Sequence, residues 1–328
     1  MVACGCIRGL CTTVLDKGTP EPTLSDPARD HQARSGRGCT VRDLDEVTHL
    51  QVTQVQGVFE AGSWALVVDP RGRRLLLSLQ AGALVNTHRG LLEHDAVIGA
   101  ASGATVVTRS GSSLTVYAPS FEDIVLEMPR GAQIIYPKDI AAMLGELSLL
   151  PGMRVLEAGF GSGALTMGLL RHGASVVAVE KREDFASRGR KNVESFLPPE
   201  VSSNLEVVLG DVMETEISGP FHRIVLDLLD PWRVLARVRP LLTSDGRVVV
   251  YVTNINQVQE TVRAMRLHSL SVDSVKEILE RSWIVNGDIV RPEQKMIGHT
   301  GFIISARASR SENPSSPEPT AGDVSVAT

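Results

Sequence analysis

At 328 residues the chain is long enough for two domains, or for one large domain with an appendage. Its 33 Lys and Arg against 38 Asp and Glu leave a formal charge of −5, which excludes a binder held to nucleic acid by bulk positive charge but not one with a local basic patch. The 43% hydrophobic and 22% charged fractions fit a globular chain, and four cysteines cannot staple one of this length. No apolar run approaches the roughly 20 residues of a membrane span.

Cys4, Cys6 and Cys11 crowd the N-terminus without the paired C-x-x-C spacing and His partners of a zinc site, so no metal is predicted. No long apolar stretch follows Arg8, so a signal peptide is not predicted and the cytoplasm is the default compartment. From Gly18 to Thr40 the chain holds Pro20, Pro22 and Pro27 and one large aliphatic, Leu24. Such a segment buries too little to offset its ordering entropy, and residues 1–51 are expected to be disordered or poorly structured. The Ser- and Pro-rich tail, 309–328, carries the same signature.

Residues 52–127 read as a small β-rich domain. Trp64–Val68, Leu75–Leu79, Thr105–Thr108 and Leu114–Tyr117 are short apolar runs separated by turn residues such as Asp69-Pro-Arg-Gly72, a barrel or sandwich pattern. Residues 128–308 alternate strands with helices, the signature of a doubly wound, mostly parallel α/β sheet. Strands are predicted at Arg154–Ala158, Ser175–Glu180, Glu206–Leu209, Arg223–Leu228 and Arg247–Thr253. Helical stripes run through Ile140/Leu144/Leu147, Phe185/Gly189/Val193, Leu235/Val238/Leu242 and Val258/Val262/Met265. Pro231 suits a first helical turn, and Asn256 with Gln259 resembles a capping pair.

The most informative stretch is Val155-Leu-Glu157-Ala-Gly159-Phe-Gly161-Ser162-Gly163-Ala164-Leu165, a buried strand running into a glycine turn that opens a helix. Its G-x-G-x-G spacing lets the backbone approach a ligand closely, and Glu157 is awkward for a pyrophosphate but suits the ammonium of S-adenosylmethionine. Glu180 ends the next strand, where a carboxylate takes ribose hydroxyls in dinucleotide and adenosylmethionine enzymes alike. Asp211 and Asp227 stand at the following strand ends, Asp211 placed for an adenine amino group. Any one of these acids alone is more often a cap or turn residue. Four of them on one rim, with the glycine loop, point to a methyltransferase.

At these residues the sequence resembles the bacterial and archaeal tRNA (adenine58-N1)-methyltransferases, whose eukaryotic relatives pair a catalytic with a non-catalytic subunit. The resemblance runs from about Gly57 to Arg307. It is carried by Thr87-His-Arg-Gly90, Met128-Pro-Arg130, Tyr136-Pro-Lys-Asp139, the Gly159 loop, Asp227 before Pro231-Trp232, and Gly298-His-Thr-Gly-Phe302. It implies a class I fold behind a small barrel-like domain, S-adenosylmethionine as cosubstrate without a metal, tRNA as partner, and a homotetramer. Ser162 to Leu165 would contact the cosubstrate, with Glu180 on its ribose, Asp211 near its adenine, and Phe185 either walling the site or filling core. Asp227 would hold the target adenine, with Tyr136 and Tyr251 lining its pocket. Two positions depart from the family pattern: Phe160, where a small residue is usual, is expected to narrow the loop, and Leu229-Asp230 replaces a commoner Pro-Glu beside Asp227.

The chemistry fits this assignment. A sulfonium methyl is primed to leave, so the protein must chiefly hold N1 of adenine in line with it. Positive charge then spreads over the amidine, where a carboxylate on the exocyclic amino group stabilises it and accepts a proton. Arg71, Arg73, Arg74, Arg89, Arg130, Lys138, Arg291 and Lys295 are the candidate phosphate contacts, with a solvated charged face as the plain alternative for Arg71–Arg74. Two rival readings stay open: a non-catalytic tRNA-binding subunit, and a methyltransferase for a protein or small molecule. A nicotinamide dehydrogenase is weaker than either.

Overall fold

The computed structural model describes residues 57–131 and 133–309, together with the backbone of β1 (Cys6–Ile7) and β2 (Leu10–Cys11), which pair antiparallel. The rest of the extension and the tail beyond 309, with the expectation of disorder there, lie outside the described residues. Apart from β1 and β2, the described residues belong to one compact unit that begins at Gln54.

The first part of this unit is β-rich. β3 (Trp64–Val68), β4 (Arg74–Ser78), β7 (Thr105–Val107) and β8 (Ser113–Tyr117) form an antiparallel sheet in the order β4-β3-β8-β7. β5 (Leu84–Thr87) and β6 (Gly90–Glu93) make a separate hairpin. Ala65, Val67, Leu77, Leu92, Leu114 and Val116 meet in one core, so the short runs broken by turns do build a small β structure. α1 (Phe121–Glu127) follows, opened by a capping box in which Ser120 and Asp123 satisfy each other's backbone N–H. This helix is an addition to the predicted elements, and Ser120-x-x-Asp123 is its sequence signal.

The second part is a seven-stranded sheet in the order β11-β10-β9-β12-β13-β17-β14. β9 (Arg154–Ala158), β10 (Ser175–Glu180), β11 (Leu205–Leu209), β12 (Phe221–Asp227) and β13 (Leu242–Val252) run parallel. β17 (Phe302–Ala308) inserts antiparallel between β13 and β14 (Leu270–Glu277). An exposed hairpin, β15 (Trp283–Asn286) with β16 (Ile289–Pro292), lies between β14 and β17 in sequence.

Strand residues alternate between two helical layers because successive side chains face opposite ways. Val155, Val176, Val225 and Val249 pack toward α2 (Pro137–Leu147), α3 (Ala164–Arg171) and α4 (Glu183–Phe196). Leu156, Val177, Ile224 and Val250 pack toward α6 (Pro231–Val238) and α7 (Ile255–Leu267); the short α5 (Pro199–Ser202) follows α4. Strand order reverses between β9 and β12, and that switch point is where open α/β sheets bind ligands.

Two local expectations need correction. The capping pair of α7 is Asn254 with Gln257, not Asn256 with Gln259: Gln257 N–H donates to Asn254 Oδ1 at 3.0 Å and Asn254 N–H to Gln257 Oε1 at 3.1 Å. The chain leaves β13 at Val252, so the cap falls two residues before the predicted one. Leu242 opens β13 instead of closing the α6 stripe, because Pro240 ends the helical run.

The two parts are latched. Trp64 Nε1 donates to the Ser195 carbonyl at 2.8 Å, and its ring lies 4.4 Å from that of Phe196. Trp64 thus ties the β-rich part to the C-terminal end of α4, a helix whose other contacts reach the ligand loop.

Candidate active site

β9 runs straight into the glycine loop. Gly159 has φ +95°, and a Cβ there would fall 2.0 Å from the Asp227 carbonyl oxygen, so only glycine lets this loop lie against the end of β12. A Cβ on Gly161 would meet nothing within 4 Å, which marks open space above the loop. Gly163 caps α3 in the left-handed conformation with no side-chain cap, and no acid occupies the first turn. The first N–H groups of α3 are therefore free to receive an anionic group such as a carboxylate. Ser162, Ala164 and Leu165 are buried. Asn192, also buried, holds the loop from below by donating to the carbonyls of Ser162 and Pro129, both at 3.0 Å.

Three carboxylates converge above this loop. Glu180, 8% exposed, accepts the N–H groups of Gly161 and Arg182 at 3.0 Å each, which fixes its oxygens while leaving lone pairs for hydroxyl donors. Glu157, 1% exposed, accepts the Thr166 hydroxyl at 2.5 Å; burial, then the charges of Asp227 and Glu180, push its carboxyl up to about 8. Asp227 ends β12 with its edge open to solvent, and burial, then the Glu180 charge, push it up to about 7. Among the described residues none of the three is in an ion pair. A cluster of carboxyl groups without ion-pair partners beside free N–H donors fits a ligand carrying cationic centres, which would favour their ionised forms, and a carboxylate, as S-adenosylmethionine does.

Asp211 sits on the loop after β11, accepting Met213 N–H at 2.9 Å with Lys181 Nζ 3.6 Å away. Phe185, half-buried in the first turn of α4, lies beneath the Arg182 guanidinium at 3.2 Å from its ring centroid.

On the other side of Asp227 the register pairs it with Tyr251 of β13, which pairs in turn with Ile303 of β17. Tyr251 is 4% exposed, and a Cβ on Gly301 would fall 2.4 Å from its ring. Its hydroxyl donates to Asp139 Oδ2 at 3.3 Å, and burial, then the Asp139 charge, raise the phenol well above its ordinary value. The structure thus places Tyr251 inside a packed network, not as an open stacking face.

That network centres on Lys138, whose ammonium reaches Asp139 Oδ1 at 2.7 Å, the Ile278 carbonyl at 2.8 Å and Thr300 Oγ1 at 2.6 Å. All three of its donors are used, so Lys138 leaves the set of predicted phosphate contacts. Arg73 and Arg89 flank Asp69 at 3.2 and 3.7 Å, and Arg74 is held by Asp123. Tyr136 caps α2 through its carbonyl, which accepts the N–H groups of Asp139 and Ile140 at 2.9 Å each. His299 bridges Glu277 Oε1 at 2.6 Å and the Thr253 carbonyl at 2.7 Å. Sequence reasoning misses the roles of Lys138, Asp139, Thr300 and His299, although all four lie within motifs that the sequence displays. Asn192 has no sequence signal.

The family described as the tRNA methyltransferase complex GCD14 subunit matches residues 114–300, and the TrmI-like N-terminal family matches residues 57–106. A Thermus thermophilus protein named tRNA (adenine(58)-N(1))-methyltransferase TrmI is 37% identical over 74% of this chain and 95% of its own length. The chain belongs to the TrmI family of tRNA (adenine58-N1)-methyltransferases. A TrmI relative from Methanocaldococcus jannaschii, named for adenine 57 and adenine 58, is 31% identical over 75% of this chain and 95% of its own. The crystal structure of the Aquifex aeolicus tRNA (m1A58) methyltransferase TrmI superposes with a TM-score of 0.68 at 28% identity, covering 77% of this chain and all of that one. A Thermotoga maritima structure described as a SAM-dependent O-methyltransferase gives 0.74 at 26% identity, over 81% of this chain and all of that one.

Against the TrmI pattern, Phe160 does not narrow the loop. It is 2% exposed, and its ring fills the space beside Gly189, where a Cβ would fall 2.6 Å from it, so the bulk is absorbed between α3 and α4. Leu229, by contrast, is 79% exposed on the rim just past Asp227.

Proposed function

We propose that the protein transfers the methyl group of S-adenosylmethionine to N1 of adenine 58 in the T-loop of tRNA. The observation that carries this reading is the pairing, at the sheet's switch point, of an uncapped helix with Glu157 and Glu180 on one side and Asp227 on the edge facing the other. The cosubstrate supplies a methyl group on a cationic sulfur, a leaving group that needs no metal. The free N–H donors of α3 hold its carboxylate, Glu157 its ammonium side, Glu180 its ribose hydroxyls and Asp211 its adenine. Phe185 walls the ribose side.

Asp227 grips the exocyclic amino group of the target base, fixes N1 in line with the methyl, and takes up the proton as charge moves onto the amidine. Because N1 is concealed in folded tRNA, the base is extruded into the cleft. Tyr136, half-buried at the mouth of α2, lines its path, and Tyr251 acts from beneath through Asp139. A pure tRNA-binding scaffold has no use for the free helix end and the clustered acids.

The small β domain and the α/β domain divide near Met128 in this reading. A homotetramer is its assembly, supported by the apolar side chains that the β15–β16 hairpin leaves open, including Val285 at 71% and Val290 at 62% exposure. No helix among the described residues is long and apolar enough to cross a membrane, and the cytoplasm is the proposed compartment.

The test is methyl transfer from labelled S-adenosylmethionine to unmodified tRNA, with the product nucleoside mapped. We expect 1-methyladenosine in the T-loop, reduced about 10²- to 10⁴-fold by Asp227→Ala while cosubstrate binding is partly kept. Equal activity in that variant removes Asp227 from the mechanism.

A further inference from the structure

Beyond Asp227, away from the glycine loop, the carboxyl ends of β12 and β13 frame an open surface hollow of about 430 Å³. Trp232, half-buried in the first turn of α6, and the 79%-exposed Leu229 supply apolar surface. Asn256 on the first turn of α7 adds an exposed amide, and Asp230 and Glu260 add carboxylates. Its floor is firm: Gln257 donates to the Leu229 carbonyl at 2.8 Å while its carbonyl oxygen accepts Asn254 N–H, so the loop after Asp227 is tied to the start of α7.

We infer that this hollow is a subsite for a nucleobase next to the methylated adenine, stacked on Trp232 and read by Asn256. The inference rests on the proposed tRNA activity and adds to it where the strand beside the target is held. The lining decides the occupant. An indole face with an amide is the equipment used for unstacked bases, and each base offers a π-face. Asp230 and Glu260 are each paired with an arginine of their own helix, Arg233 at 3.7 Å and Arg263 at 2.9 Å, and their remaining oxygens are acceptors for base amino groups. Continuity decides which base. Leu229 and Trp232 follow Asp227 by two and five residues, so an adenine held by Asp227 brings its own neighbours to this hollow. Extruding a base from a folded loop also unstacks those neighbours, and an apolar seat offsets that loss.

The experiment compares kcat/KM of the wild-type protein and Trp232→Ala on tRNA carrying an ordinary or an abasic residue at each position flanking the target adenine. We expect Trp232→Ala to lower kcat/KM about tenfold, mostly through KM, with unchanged S-adenosylmethionine affinity. An abasic residue at one flank should lower the wild-type value by a similar factor and leave Trp232→Ala no worse. Additive losses at both flanks, or a fall in cosubstrate affinity, overturn the subsite. Should Trp232→Ala fail to fold, Leu229→Asp takes its place, since Leu229 is open to solvent. It places a third carboxylate among the residues lining the hollow and should raise KM for tRNA severalfold, and an unchanged KM overturns the inference. Absence of 1-methyladenosine with the wild-type protein and natural tRNA speaks against the activity itself, whereas activity without coupling speaks only against the hollow.

Discussion

The two halves of the sheet's rim are organised by different physics. On the cosubstrate half, backbone does the positioning: glycines at φ +95°, +55° and +80° turn the loop, an uncapped helix offers N–H groups, and Glu180 is fixed by two backbone donors. On the acceptor half, side chains do it. Lys138 joins α2 to Ile278 beyond β14 and to Thr300 before β17, residues 140 and 162 positions away. A ligand common to many enzymes is thus met by local, rigid backbone. The half proposed to admit tRNA is tied across distant segments by hydrogen bonds from one lysine, which single substitutions can loosen.

The sharpest break in that comparison is Gly159→Ala. The added methyl would lie 2.0 Å from a backbone oxygen of Asp227 at a left-handed φ, and no rotamer relieves either. We expect a stability loss of at least about 4 kcal/mol in denaturant unfolding, with no measurable cosubstrate binding. A variant with native stability and affinity would show that the loop does not lie against β12.

The acceptor half breaks differently. Lys138→Met leaves the fully buried Asp139 carboxylate without its cation, and removing one partner of such a pair costs about 3 kcal/mol or more. Because the glycine loop is untouched, S-adenosylmethionine affinity should change less than twofold while kcat/KM for tRNA falls at least tenfold. Equal losses in both would show that the halves are not separable. A calorimetric titration beside a steady-state assay reads the difference.

This division also explains what the sequence disclosed. The strand, glycine turn and helix within eleven residues, and the acids at the strand ends, were legible because their geometry is local. The parallel core strands followed from their apolar runs. The acceptor half was legible only as motifs without mechanism. Tyr136-Pro-Lys-Asp139 and Gly298-His-Thr-Gly-Phe302 stand out in the chain, but nothing local says that Lys138 closes on Thr300 and so is unavailable to phosphate. Phe160 misled for the same reason: its fit depends on Gly189, 29 positions on, where the missing side chain is what admits the ring. Asn192 in mid-helix carries no pattern at all, since its partners are carbonyls of two other segments.

The smallest effect separates the halves by pH. Glu157, at about 8, and Asp227, at about 7, hold protons in the unliganded protein that an unfolded chain has released above pH 5. Raised carboxyl values make the folded state bind more protons than the unfolded one, so stability falls as pH rises from about 4 toward 8. A cationic ligand in the hollow favours the ionised forms, so S-adenosylmethionine affinity should rise between pH 6 and 8, by at most about tenfold per unit for each proton released. Titrations in buffers of different ionisation enthalpy count those protons, and a pH-independent affinity with no proton release would show that the acids are already ionised. On the acceptor half His299 has a raised value, first through its hydrogen bond to Glu277 and then through the Thr253 carbonyl. Its contribution is complete below the ordinary value of 6.5 and is lost as pH rises through the raised one. His299→Gln should therefore flatten the decline of Tm above pH 6.5 while leaving the pH dependence of cosubstrate affinity as it was. Tying both responses to one residue in either half would erase the distinction between them.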